Sequence, residues 1–129
     1  MPSHIEANVK RKMALSMKEH QGYGRRLEEA FSVGVYDMIL IPKGLPVFFA
    51  EVKILTGNIF QPRPRQYIEL MWLEDVGPHA IPVVIGWRNS TYYFHAPARK
   101  IMLSECFMGP LDLSFHDQLV KYYHEMTAK

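Results

Sequence analysis

The chain has a single cysteine, Cys106, and no continuous apolar run long enough to cross a membrane. One cysteine excludes an internal disulfide and a cysteine-based zinc cluster, and a membrane helix needs about 18–20 consecutive apolar residues. The first residues also lack the basic and then apolar stretch of a secretory signal peptide. We therefore expect a protein of a reducing cytoplasm that has no membrane partner.

Two common catalytic patterns are missing as well. The sequence has no glycine-rich phosphate loop of the Walker type, and its six histidines show no HxH or HExxH spacing. These absences disfavour an ATP-dependent enzyme and a zinc enzyme. Cys106 has no base beside it in the sequence, which makes a cysteine nucleophile a weak candidate.

A net charge of +2 is too small to indicate nucleic-acid binding, but the basic residues are unevenly distributed. Six of the fifteen lysines and arginines lie in the first quarter of the chain, and a further pair follows residue 61. Such clusters form either a solvated helix face or a surface that neutralises phosphates. The residues concerned are Lys10, Arg11, Lys12, Lys18, Arg25, Arg26, Arg63 and Arg65.

The apolar pattern predicts one domain over residues 1–129, of the α/β class, with a small central mixed sheet flanked by helices. Apolar residues recur every four positions between Ile5 and Met17 and predict a first helix from Ser3 to about His20. Two almost wholly apolar strands joined by a turn fit the centre of a covered sheet. In order, the later elements are a strand (25–32), that hairpin (35–41 and 47–54), a loop (55–63), a helix (64–76), strands at 81–87 and 91–95, an ambiguous region (98–113) and a last helix beginning near Ser114.

The hairpin places three charged side chains close to one another. Asp37 opens its first strand, and Glu51 and Lys53 close its second strand. Residues two apart in a strand point to the same face, and folding the hairpin brings Asp37 near Glu51. On an exposed surface Glu51 and Lys53 would form a salt bridge worth about 0–1 kcal/mol, but their apolar neighbours argue against full exposure. The arrangement therefore favours a Mg²⁺ site for phosphodiester cleavage.

This order of elements resembles the PD-(D/E)XK nuclease superfamily, and within it the VRR-NUC (virus-type replication-repair nuclease) group and small Holliday-junction resolvases. Residues 34–37 (Gly-Val-Tyr-Asp) are similar to its Gly-x-Pro-Asp element, with Tyr36 in place of the proline, and residues 50–53 (Ala-Glu-Val-Lys) to its Glu-x-Lys element. Gln66 stands where the group carries a glutamine, and Glu6 where many members carry a further acidic residue, although Glu28 is a second candidate for that role. The likeness covers about residues 3–95 and implies a restriction-endonuclease-like core.

The resemblance implies a single VRR-NUC-like domain that cleaves DNA with Mg²⁺ or Mn²⁺. Asp37 and Glu51 would be metal ligands together with the backbone carbonyl of Val52, and Lys53 would hold or activate the attacking water. Gln66 would hold a metal-bound water or a phosphate, unless it only faces solvent in a first helical turn.

Glu6 would contact the metal through a water molecule, unless it only completes a capping box with Ser3 at the start of the first helix. Its role and that of Gln66 are open on the sequence alone.

DNA is the implied substrate, with junctions and flaps as candidate structures, in repair or phage replication; a viral member would act in the host cytoplasm. The candidate phosphate contacts are Arg25, Arg26, Arg63 and Arg65, for each of which a plain surface role is the alternative. A homodimer is expected because one small domain has little surface with which to grip a junction. The alternative function is a nucleic-acid-binding module on the same fold that does not cleave.

Overall fold

A computed structural model of the protein describes residues 4–27, 36–61 and 80–128. The predicted helix over 64–76, with Gln66, and the arginines Arg63 and Arg65 lie outside these described residues, as does Glu28. In chain order the described elements are α1 (His4–Glu19), β1 (Tyr23–Arg26), β2 (Met38–Ile41), β3 (Val47–Ile54), β4 (Ile59–Phe60), β5 (Ala80–Arg88), β6 (Thr91–His95), β7 (Ile101–Met102), a 3-10 turn (Leu103–Glu105), β8 (Phe107–Met108) and α2 (Phe115–Thr127).

The first helix is confirmed, but its buried face begins later than the apolar pattern suggests. Val9, Met13 and Met17 are buried, and their spacing of four residues places them on one side of α1. Ile5, the first member of the pattern, is 52% exposed. The helix therefore packs against the sheet through its central and C-terminal turns.

Six strands form one mixed sheet in the order β1-β2-β3-β5-β6-β8. β3 and β5 are parallel, and the other neighbouring pairs are antiparallel. The predicted hairpin and the strands predicted at 81–87 and 91–95 are confirmed by β2, β3, β5 and β6. The strand predicted at 25–32 begins earlier, at Tyr23, and its continuation beyond residue 27 lies outside the described residues. The α/β class with a central mixed sheet is thus observed.

Within the described residues, helices α1 and α2 pack on one face of this sheet. A single core cluster joins them to the central strands; its buried members are Val9, Met13, Met17, Met38, Leu40, Phe48, Ala50, Val52, Val83, Ile85, Phe94, Phe115, Leu119 and Tyr122. Val84 lies between two members of that cluster in β5, so alternation directs it to the opposite face. There it forms a second cluster with Leu55, Phe60 and Ile101.

The loop predicted over 55–63 contains a short strand, which corrects that prediction. β4 pairs with β7 as a separate two-stranded antiparallel sheet, and Phe60 and Ile101 from this pair are buried in the second cluster. A strand of two residues offers no alternation for a sequence pattern to reveal. The ambiguous region 98–113 contains β7, the 3-10 turn and β8, each equally short.

The last helix begins as predicted. The Ser114 hydroxyl accepts a hydrogen bond from the Asp117 amide at 3.2 Å, which satisfies one of the open donors at the start of α2. In the part of the chain that the structure describes, no helix is long and apolar enough to span a bilayer.

Candidate active site

Asp37 is fixed at the open end of the hairpin by two hydrogen bonds to β3. Its backbone amide donates to the Ala50 carbonyl at 2.8 Å, and its Oδ2 atom accepts from the Val52 amide at 2.9 Å. Asp37 therefore contacts the residues on both sides of Glu51. Extending the register of β2 and β3 by one residue also sets Asp37 opposite Glu51. The Cβ atoms of directly opposite residues in an antiparallel pair are about 5 Å apart. The structure thus sets the two acidic residues opposite each other across the open end of the hairpin.

Glu51 is almost fully enclosed, with 2% of its surface exposed. It pairs with Val84 of β5, which belongs to the cluster on the face opposite the helices. A buried carboxylate is costly unless a cation or hydrogen-bond donors balance it. A buried acid at the end of a central strand is therefore expected to have a specific partner or a specific task.

Lys53 lies two residues beyond Glu51 on β3, and its Nζ atom donates to the Gln61 carbonyl at 3.3 Å. With Leu55, Ile59 and other residues of the β3–β4 segment it lines a cleft of about 230 Å³. The ammonium is only partly buried, so a phosphate in this cleft can reach it. Lys53 and Glu51 lie two residues apart on one strand, so their side chains point to the same face of the sheet.

Lys10 corrects the prediction that this residue belongs to an outward basic cluster. Its side chain is 2% exposed, and its Nζ atom lies 3.1 Å from Glu6 Oε2 and 3.8 Å from Asp37 Oδ1. The ammonium therefore links α1 to the open end of the hairpin. Sequence reasoning missed this residue. The available signal was the spacing of four between Glu6 and Lys10, which puts opposite charges on the same helix face.

Glu6 reaches this site through Lys10. Its carboxylate is a quarter exposed and faces the ammonium that also faces Asp37. The alternative role of Glu6, a capping box with Ser3, involves a residue outside the described ranges.

The donor set fits a hard divalent cation. Asp37 and Glu51 are carboxylates at opposed positions of two paired strands, and Mg²⁺ and Mn²⁺ prefer oxygen ligands. The Asp37 carboxylate is oriented by the Val52 amide and is only 16% exposed. Lys10 supplies a positive charge to the Asp37 carboxylate, 3.8 Å away, so a cation is already part of the electrostatic balance around Asp37.

A basic groove lies between α1 and β1, close to these acids. It has a volume of about 320 Å³, and its lining residues include Leu15 and four cations, Arg11, Lys18, Arg25 and Arg26. The predicted nucleic-acid contacts Arg25 and Arg26 thus share one surface with two cations of α1. Arg63 and Arg65, the other predicted contacts, lie outside the described residues.

Cys106 does not have the properties of a nucleophile. Burial, with a smaller contribution from the Glu105 carboxylate, raises the pKa of its thiol to about 11. The reactive thiolate is therefore scarce near neutral pH. This agrees with the sequence argument against cysteine chemistry.

Comparison with known proteins finds a similar fold and no similar sequence. No protein-family profile matches the chain, and no curated protein sequence matches it. Among solved structures, the chain is similar to Hjc, a Holliday junction resolvase from the archaeal hyperthermophile Archaeoglobus fulgidus, with a TM-score of 0.60. The two are 14% identical over 76% of this chain and 88% of the resolvase, which shows a common fold.

Proposed function

We propose that the protein is a divalent-metal-dependent DNA endonuclease of the PD-(D/E)XK superfamily, with VRR-NUC enzymes and junction resolvases as its functional relatives. The observation that supports this proposal is the pair of hydrogen bonds that set Asp37 opposite Glu51 at the open end of the central hairpin, on a fold shared with a resolvase. Burial of Glu51 in a central strand has no structural need that an apolar residue would not meet better.

Asp37, Glu51 and the Val52 carbonyl would hold the ion, with Glu6 as a further acidic contact. When bound, such an ion polarises a phosphoryl oxygen and lowers the pKa of a bound water. The Val52 amide keeps the Asp37 carboxylate in one orientation through the hydrogen bond at 2.9 Å, which is the kind of preorganisation that catalysis requires.

Lys53 would stabilise negative charge that develops on the phosphate, since its ammonium is solvent-accessible two residues from Glu51. Gln66 would hold a water or a phosphate at the same site. The arginines Arg25, Arg26, Arg63 and Arg65 would bind backbone phosphates and set the position of the DNA without reading its sequence.

Plasmid nicking with Mg²⁺ or Mn²⁺ tests the proposal. We expect wild-type protein to nick supercoiled DNA, and Asp37→Asn and Lys53→Ala to lose at least about 100-fold in rate, the scale on which positioned acids, bases and charge-stabilising donors act. Lys121→Ala changes an exposed lysine on α2 and serves as the matched control. Equal nicking by all four proteins would remove these roles from Asp37 and Lys53.

A non-cleaving nucleic-acid-binding module is the second candidate, and the position of Lys10 favours it. Its ammonium stands between Glu6 and Asp37, so the carboxylates have a cation without any metal. This function predicts salt-sensitive DNA binding without nicking at any Mg²⁺ or Mn²⁺ concentration.

The preferred DNA structure and the oligomeric state belong to the same proposal. We expect preference for four-way junctions or flaps over linear duplex in competition binding. We also expect a homodimer in light-scattering measurements, because two copies are needed to act symmetrically on a junction. A monomer with full activity on junctions would remove the dimer from the proposal.

A further inference from the structure

We propose that His20, His116 and Asp117 form a binding site for a zinc-class transition metal ion that joins the end of α1 to the start of α2. One donor atom from each of the three side chains lies within 4.8 Å of the others. This site is independent of the proposed nuclease function. About ten residues of α1, or roughly 15 Å along the helix axis, separate Lys10 from His20.

The distances suit coordination. The Asp117 Oδ1 atom lies 2.9 Å from His116 Nδ1 and 3.9 Å from His20 Nε2. In a tetrahedral zinc site with bonds near 2.1 Å, neighbouring ligand atoms are about 3.4 Å apart. The two observed separations lie on either side of that value, so the donors are close enough to share one ion once one imidazole ring turns.

The ring nitrogens are prepared for this role by their surroundings. His20 Nδ1 lies 2.9 Å from the Ser16 carbonyl oxygen and donates to it, so the lone pair is on Nε2. A hydrogen bond of this kind is the usual outer support of a metal-bound histidine. The Nε2 atom faces the Ser114 hydroxyl at 3.4 Å and Asp117 Oδ1 at 3.9 Å. The backbone amide of His116 donates to the Ser16 hydroxyl at 3.0 Å, which holds the second ligand against the same helix.

Solvent access determines which edge of His116 an ion can reach. Its Nε2 atom is buried and has no hydrogen-bond partner among the described residues. Its Nδ1 atom faces Asp117, whose side chain is 49% exposed. An incoming ion therefore meets Asp117 and His116 Nδ1 first, and the proton now held between them moves to Nε2 or is released to solvent.

One structural change must accompany binding. The two imidazole rings are stacked with centroids 4.4 Å apart and an angle of 5° between their planes. Parallel rings direct their lone pairs side by side, so one ring must turn to share an ion. His20 is the ring with room to turn because its side chain is 35% exposed.

Two imidazoles with one carboxylate select Zn²⁺, Ni²⁺ or Cu²⁺ over Mg²⁺, which prefers an all-oxygen environment. Three protein ligands leave a fourth position for water. The ion would clamp together the two helices that cover the same face of the sheet. Because it binds only the folded protein, it would raise the unfolding temperature.

Titration of untagged protein with ZnCl₂, followed by calorimetry and by thermal unfolding, tests the site. We expect one zinc ion per chain and a rise of several degrees in the unfolding temperature, with no such rise in MgCl₂. His20→Ala and Asp117→Asn should each weaken zinc binding by about tenfold or more, since even outer-shell losses cost 10–100-fold. Each variant is compared with its own metal-free unfolding temperature, so a change in basal stability does not affect the result.

Two controls keep this site apart from the acids of the hairpin. His124→Ala removes an exposed histidine of the same helix and should leave zinc binding unchanged. In an Asp37→Asn background the effect of His20→Ala should persist. Zinc binding that survives both His20→Ala and Asp117→Asn, or wild-type protein that shows no shift with zinc, would overturn the proposal whatever the outcome of the nicking assay.

Discussion

At the scale of single residues, Lys10 has the least expected environment. A lysine in a basic run of a helix is ordinarily solvated, yet its ammonium is buried between Glu6 and Asp37. The apolar spacing of α1 predicted the helix correctly, but could not show that the end of the hairpin lies against this turn. That contact depends on the packing of α1 on the sheet, which no local pattern encodes. The predicted acids Asp37 and Glu51 were accessible to sequence reasoning because a tight hairpin fixes them locally.

Replacing Lys10 with methionine should destabilise the metal-free protein by roughly 3 kcal/mol, at the lower end of the range for breaking a buried ion pair. Glu6 is a quarter exposed, so water compensates part of the loss. Added Mg²⁺ or Mn²⁺ should restore more stability to Lys10→Met than to wild type, because the ion replaces the missing charge. Urea unfolding in EDTA and in the presence of metal measures both effects.

Lys12→Met is the matched control, since Lys12 is exposed on the same helix and should change stability by less than about 0.5 kcal/mol. If metal stabilises both variants and wild type equally, Lys10 and the divalent ion do not share a site.

The ionisation of Asp117 makes the stability of the folded protein depend on pH, and its direction follows from the pKa of the carboxyl group. Its hydrogen bond with His116 is the largest of the influences that lower the pKa of its carboxyl group, and His20 adds to the effect. A lowered pKa means that the folded protein favours the ionised form of this carboxyl group. Its contribution to the free energy of unfolding is therefore fully present at pH values above the unfolded-state pKa, near 3.9. It is lost as pH falls through the lower, folded-state value.

Urea unfolding of wild type and Asp117→Asn at pH 6, 4 and 2.5 measures this contribution. The stability difference between the two proteins should be largest at pH 6 and smallest at pH 2.5. A difference that does not change with pH would show that the Asp117 charge contributes nothing in the folded state.

At the scale of elements, the packing of α1 on β1 depends on Gly24. A Cβ atom at this position would lie 2.8 Å from the Ala14 Cα atom and 3.1 Å from the Ala14 carbonyl oxygen. Backbone atoms of a helix cannot move aside singly, so Gly24→Ala should destabilise the protein by about 1–3 kcal/mol, as overpacking does. Thermal unfolding checks this prediction.

Gly57→Ala provides the comparison for that measurement, because a Cβ atom at Gly57 would meet nothing within 4 Å. The two substitutions make the same chemical change and differ in the space around it. Equal unfolding temperatures would contradict the close approach of α1 and β1.

Elements were predictable from the sequence in proportion to their length. Strands β2, β3, β5 and β6 and helices α1 and α2 carry several turns or alternations each, and their positions agree with the patterns. β4, β7 and β8 have two residues each and gain their stability from pairing with distant segments. Such strands are set by tertiary contacts, and this is why residues 55–63 and 98–113 could not be assigned correctly.

At the scale of the whole molecule, the acids and the basic groove are arranged along the same helix. Lys10 contacts the acidic site, and Arg11 and Lys18 line the groove. The eight residues from Lys10 to Lys18 span about 12 Å, enough for three to four nucleotides at about 3.4 Å each. The net charge of +2 does not indicate this arrangement, because the arrangement depends on where the charges lie and hardly on their sum.

Under the proposed nuclease function, a nucleic-acid strand that follows this groove would present its phosphates to Arg25 and Arg11 and would be cleaved at the hairpin. Arg11→Gln with Arg25→Gln should then weaken DNA binding at low salt and reduce the slope of log affinity against log salt by about 0.9 per lost phosphate contact on duplex. Fluorescence anisotropy with labelled junction and duplex across a KCl series measures affinity and slope together. Lys43→Gln with Lys121→Gln removes the same charge from exposed positions outside the groove. If both double variants change the slope equally, only the overall charge attracts DNA; if only the groove variant does, the strand runs along α1 toward Asp37.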